Sequence, residues 1–248
     1  MSQLPFGEIR NALGERLDYS CEGGASPGAE LLVVIGHGVT ANKDRAWALT
    51  LAQALEAAGV ASLRFSFSGN GESEGDFRQS TVSKEVADLG SVLDAVLGSG
   101  ERPICFVGHS MGGAVGVLRA AQDARIGRLV SLAGMVETHG FAQRKFGDLT
   151  PGQDVMWDKA ECPLSTDFVE DMRQIGSVLP QVPEVRVPWL LVHGTEDGVV
   201  PVSEAREAAA TAPDASKVEL VVFEGADHLF SGPDEERMAA AVVAWLQR

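Results

Sequence analysis

The sequence predicts an α/β protein with a mostly parallel, doubly wound sheet, an N-terminal antiparallel hairpin and a small inserted cap. Three observations carry that expectation. Runs such as Leu31-Leu32-Val33-Val34-Ile35 and Trp189-Leu190-Leu191-Val192 are apolar without alternation, the mark of strands buried on both faces. Helical patterns lie between such runs, as in Val82, Val86, Leu89, Leu93 and Val96, and a strand-helix alternation calls for a sheet covered on both sides. Polar and glycine-rich stretches come after several of the strands, at the end where open α/β sheets hold their ligands.

Taken in order, residues 8–22 alternate loosely around Asn11-Ala12-Leu13-Gly14, which suggests a hairpin antiparallel to the strands after it. Gly23 to Gly28 reads as a loop and Leu31–Ile35 as the first buried strand. A helix is expected from Arg45 to Ala58, stopped by Gly59, then a strand from Val60 to Phe67. A polar loop over 68–75 leads to a helix at Val82–Leu97, and the strand Ile104–Val107 and its helix come next. A further strand is expected at Leu129–Ala133. Between 135 and 185 the pattern weakens, with Phe141, Phe146, Trp157 and Phe168 scattered among four prolines. That stretch is too long for an ordinary connection and is either a functional cover or a small helical insertion within a single domain spanning 1–248. Regular pattern returns with a strand at Trp189–Val192, a helix at Ser203–Ala210, a strand at Val218–Phe223 and a helix at Asp234–Trp245.

Composition narrows the class. A formal charge of −15 over 248 residues argues against nucleic acid and anionic membrane surfaces as partners. No run approaches the roughly 18 apolar residues of a membrane span. The N-terminus lacks a basic segment followed by an apolar one, and Cys21, Cys105 and Cys162 form neither a disulfide framework nor a zinc pattern. A reducing, cytoplasmic setting is the expectation, with no cofactor or metal. A homodimer is left open.

The chemistry is concentrated in Gly108-His109-Ser110-Met111-Gly112-Gly113, a G-x-S-x-G turn between an apolar strand and a small-residue helix. Such a turn lifts a serine oxygen above the sheet edge, and a Cβ at Gly108 or Gly112 would crowd neighbouring backbone. A serine hydroxyl needs a base, and the base needs an acid to fix its tautomer. His228 comes after the strand Val218–Phe223, and Asp197 after Trp189–Val192, giving the chain order Ser110, Asp197, His228. The rivals fit less well. His109 should point away from Ser110, His193 reads as a buried structural histidine, and His139 lies in the irregular segment where it could touch substrate. Glu196 and Asp227 are the alternative acids. The Met111 N–H and the Val39 N–H, with Thr40 as second choice, are the expected oxyanion donors. His37, Thr40, Phe141 and Trp157 are candidate substrate contacts; His37 reads more readily as a scaffold hydrogen-bonder and the aromatics as the cap's own small core.

These segments, with His37 to Asp44, Arg64 to Gly75, Gly194-Thr195-Glu196-Asp197 and Ala226-Asp227-His228, resemble the α/β-hydrolase superfamily over nearly the whole chain. Within it the chain is similar to small serine esterases related to feruloyl/cinnamoyl esterases and dienelactone-hydrolase-like proteins. The resemblance implies hydrolysis of a small-molecule ester through an acyl-enzyme, at a metal-free site under a cap. Thioesterase and peptidase activities, or a non-catalytic binding protein, remain as alternatives. Ser66 stands where such chains often have aspartate, and Asn70 where they often have histidine, so the contacts of that supporting loop are the open point.

Overall fold

The structure, a computed structural model, describes residues 5–24, 30–98, 102–214 and 217–248. Residues 1–4 and most of the loop expected at 23–28 lie outside the described residues. The chain opens with the expected hairpin. β1 (Ile9–Arg10) and β2 (Arg16–Leu17) pair antiparallel, closed by a Gly14 N–H donating to the Asn11 carbonyl at 2.9 Å.

β3 (Tyr19–Glu22) then joins the main sheet antiparallel to β5 (Ala61–Phe65). The rest is parallel: β4 (Leu32–Gly36), β6 (Ile104–His109), β7 (Ile126–Leu132), β8 (Trp189–Gly194) and β9 (Val218–Phe223), in the spatial order β3-β5-β4-β6-β7-β8-β9. Alternate residues of the central strands feed two cores. Leu32, Val34, Phe106 and Leu129 face the side covered by α2 (Val82–Leu97) and α3 (Met111–Ala120). Val33, Ile35, Val107 and Val130 face α1 (Ala46–Ala57) and α7 (Pro233–Leu246). Cys105 sits wholly in the second core, where burial pushes its thiol up to about 12. Burial on both faces is why these strands read as unbroken apolar runs.

Strand β7 begins at Ile126, three residues before the expected start. Gly127 and Arg128 interrupt the apolar run, yet the ladder to β6 holds Arg128 opposite Cys105. The helix expected at Ser203–Ala210 is α6 (Val202–Thr211).

Between β7 and β8 lie α4 (Thr138–Phe146), α5 (Thr166–Ile175) and 3-10 turns at Met156–Asp158 and Leu179–Glu184. The Ser165 side chain caps α5 by accepting from the Phe168 N–H at 3.1 Å. Phe146 packs edge-on to Trp157 at 4.8 Å and to Phe141 at 5.8 Å, with Phe168 at 6.1 Å. Buried Glu204 of α6 ties this segment to the body. Its Oε2 accepts from the Val136 and Glu137 N–H groups at 2.8 and 2.9 Å, and its Oε1 takes the Arg144 guanidinium at 2.7 Å.

Candidate active site

The turn after β6 is built by backbone contact. Gly36 of β4 stands beside Gly108 of β6 in parallel register. A Cβ on Gly108 would collide with the Gly112 carbonyl, and one on Gly112 would lie 2.6 Å from the His37 carbonyl oxygen. With those positions reduced to hydrogen, α3 starts directly above the sheet, and Ser110 takes φ 55° and ψ −118° at its N-terminus. A non-glycine residue there carries strain, and it persists because its surroundings hold it. The Ser110 N–H donates to the Leu132 carbonyl at 3.0 Å, and its carbonyl accepts from Gly113 and Met135, each at 2.9 Å. Gly38 closes the other side: a Cβ there would sit 2.7 Å from Ser110 Cβ.

Loops from four strand ends meet over this turn around a cavity of about 450 Å³. Ser110 and His228 both line it, as do Val39 and Thr40. The imidazole Nδ1 of His228 donates to Asp197 Oδ2 at 2.8 Å. The carboxylate of Asp197 is itself fixed, since Oδ1 accepts from the N–H groups of Val199 and Val200, each at 2.8 Å. Burial by itself would raise the pKa of Asp197. Hydrogen bonds from His193 and His228, with the charge of His228 and the Val200 N–H, outweigh it and hold this carboxyl well below the usual range. An ionised acid bonded to Nδ1 leaves Nε2 of His228 as the nitrogen able to take a proton.

Three other histidines, His37, His109 and His193, are buried. His37 is buried and bridges loops: the Phe67 N–H donates to its Nε2 at 3.0 Å, and its Nδ1–H donates to the Gly38 carbonyl at 2.9 Å. Burial drives its pKa down to about 4, so the ring is neutral. The expectation of His37 as a substrate contact is therefore corrected; it shapes the loop and does not line the cavity. Phe141 is corrected likewise, because it is fully buried within the aromatic cluster, away from the cavity wall. Thr40 and Trp157 do line the cavity, with φ of 56° and 50°. His139 does not line it. Of the alternative acids, Glu196 is exposed, and Asp227 spends Oδ1 on the N–H groups of Leu229 and Ser231 in its own turn.

The contacts of two histidines were not legible in the sequence. His109 stacks on Trp47 at 4.8 Å and its Nε2–H donates to the His228 carbonyl at 2.9 Å. Burial, then the charge of His228, pushes its pKa down to about 3. His193 is buried as expected, but its Nε2–H also faces the acid. It donates to the Val200 carbonyl at 2.9 Å and lies 3.2 Å from Asp197 Oδ2. Strand alternation could have flagged only that His109 faces away from the nucleophile; its partners are set by α1 and the loop after β9. The supporting loop has its own contacts. Ser66 Oγ accepts from the Lys43 N–H at 3.1 Å, and Asn70 Nδ2 donates to Ser80 Oγ at 2.9 Å. Ser68 anchors the loop to α2 through Asp88.

Among curated proteins the chain is similar to bovine mitochondrial palmitoyl-protein thioesterase ABHD10, 26% identical over 226 residues covering 86% of this chain and 70% of the relative. The mouse counterpart is 27% identical over 245 residues, covering 92% and 76%. Among solved structures, Est1E from Butyrivibrio proteoclasticus with bound ferulic acid superposes with a TM-score of 0.85 at 24% identity, covering 97% of each chain. The model of the alpha/beta hydrolase family matches residues 32–245. With that match spanning most of its length, and the turn, sheet order and loops described above, the chain belongs to the alpha/beta hydrolase family.

Proposed function

We propose that this protein hydrolyses carboxylic esters of small acyl or aryl groups, with Ser110 as nucleophile, His228 as base and Asp197 as the orienting acid. The observation that carries the reading is the 2.8 Å bond from His228 to a doubly anchored Asp197, beside a strained serine that opens on the same cavity. His228 takes the Ser110 proton as the oxygen attacks the ester carbonyl, and the oxyanion is held by the N–H groups of Val39 and Met111. The alcohol leaves with that proton. Water, activated by the same imidazole, then attacks the acyl-enzyme and frees the acid. Ionised Asp197 stabilises the imidazolium in both halves.

Thioesters are the second reading, favoured by the similarity to a protein named palmitoyl-protein thioesterase. The same triad serves both, and the leaving group distinguishes them. The test is a panel of 4-nitrophenyl esters, hydroxycinnamate esters and acyl thioesters, with labelling of Ser110 by a fluorophosphonate. Ester turnover is expected, and Ser110→Ala should lower kcat/KM on the order of a thousandfold or more. Full activity in that variant rejects the assignment, and labelling without turnover favours a binding protein. A higher kcat/KM on thioesters than on matched oxygen esters makes the second reading the primary one.

A further inference from the structure

The cavity contains two cationic side chains that acyl transfer does not use. Arg45, at the N-terminus of α1, and Lys159, from the segment between β7 and β8, both line it. Among the described residues neither has a side-chain hydrogen bond or a carboxylate within ion-pair distance, and Arg45 Nε is buried without a partner. The neighbouring cations are treated differently. Lys43 pairs with Asp44 at 2.7 Å and Asp18 at 3.4 Å, while Arg64 takes Glu22 at 2.5 Å and Asp44 at 2.9 Å. Asp44, the acid next to Arg45 in the sequence, is thus committed to Lys43 and Arg64, in a chain whose formal charge is −15.

The two unpaired charges also share a location. Both act on the Cys162 thiol, beside Glu161, and Arg45 acts as well on His109, which lines the cavity, and on buried His37. The first turn of α1 has no acidic residue and no side-chain cap, so its positive end adds to the same field. The remaining carboxylate of the rim, Asp227, has one oxygen bound to its own turn. A partly desolvated cation without a counter-charge is costly, and an incoming anion removes that cost.

We infer that the substrate is an ester carrying an anionic group, a carboxylate or a phosphate, which Arg45 and Lys159 bind while Ser110 attacks the ester carbonyl. This rests on the ester-hydrolase reading and adds the substrate class to it. Trp47 and Trp157 supply apolar wall beside the charges, so the anion belongs on a compact acyl or aryl body.

Matched esters test it. Mono-4-nitrophenyl glutarate, with the charge on the acyl side, is compared with its neutral isostere 4-nitrophenyl glutaramate. For the alcohol side, 3-carboxyphenyl and 3-phosphonooxyphenyl butyrate are compared with 3-carbamoylphenyl butyrate. At least one anionic ester should exceed its isostere in kcat/KM by about tenfold, an advantage that shrinks as salt rises. Arg45→Gln and Lys159→Gln together should lower that ratio by about tenfold. Ratios near one for every pair, or ratios unmoved by the double variant, overturn the inference. Calorimetric titration of Ser110→Ala protein with the same esters separates the two readings. Tighter binding of an anionic ester when the wild type turns over none leaves the anion site standing without ester hydrolysis. Equal binding there removes both, and turnover without charge preference removes the anion site alone.

Discussion

The turn around Ser110 and the segment between β7 and β8 are held in place by different physics. At the turn, backbone meets backbone: the glycines at 38, 108 and 112 bring strand, loop and helix closer than any side chain allows. The segment between β7 and β8 is held differently. Its position depends on ring packing among Phe141, Phe146, Trp157 and Phe168, and on one buried carboxylate, Glu204, that satisfies two N–H groups and a guanidinium. Both contribute to one cavity, which couples a rigid reacting centre to a wall whose shape is set by side chains. In the function proposed above, the reacting groups sit on the first and the selecting wall on the second.

Substitutions can break this division. The largest effect is expected from Gly108→Ala, where the new methyl meets a carbonyl that cannot swing aside. Stability should fall by about 3 kcal/mol or more, and ester turnover should be lost even in the folded fraction. Denaturant melts and active-site titration with a fluorophosphonate check both; unimpaired turnover would show that the close approach is not what aligns Ser110.

Acid should strike the turn before the inserted segment. His37 and His109 are held neutral, at about 4 and about 3, against 6.5 in the unfolded chain. The unfolded state therefore takes up protons that the folded one refuses. Stability is complete above about pH 6.5 and declines as pH falls from there toward 4, on the order of 3 kcal/mol for each ring. Asp197, with its lowered pKa, adds a loss only below the ordinary carboxylate range, as pH falls through its folded-state value. Melting temperatures measured from roughly pH 7.5 down to roughly pH 4.5 should drop, and His109→Asn should flatten the curve. A flat wild-type profile would contradict the buried, neutral state of both rings.

On the other side of the comparison, Glu204→Ala should cost about 2–4 kcal/mol, because two N–H groups lose a charged acceptor. Its effect on turnover should appear as a raised KM, with kcat much less changed. A collapse of kcat at unchanged KM would mean that the inserted segment also positions the reacting groups. The smallest effect is expected from Trp157→Ala. The residue is 40% exposed, so the stability change should stay within about 1–2 kcal/mol while KM rises several-fold. An identical KM for aryl and short alkyl esters before and after the change would remove Trp157 from the pocket's selectivity.

The wall of the pocket was the harder part to read. Phe141 and Trp157 share a weakly periodic stretch and look alike in the sequence. One is fully buried and the other lines the cavity, because the 3-10 turn at 156–158, with positive φ at Trp157 and Asp158, carries the indole outward. Similarly, nothing near Arg45 announces that Asp44 will turn to Arg64 and leave its neighbour unpaired.

The sequence by itself determined the sheet, its two cores and the elements that carry positions 110, 197 and 228, since each depends on local pattern: unbroken apolar runs, helical spacing, and glycines where backbones cross. Tertiary structure alone decided that His109 braces His228 through its carbonyl, that Asp197 is shared between two imidazoles, and that Glu204 anchors a segment 67 residues earlier. Those contacts join distant stretches through single side chains, and a hydrogen bond between remote residues leaves no periodicity in the chain that forms it.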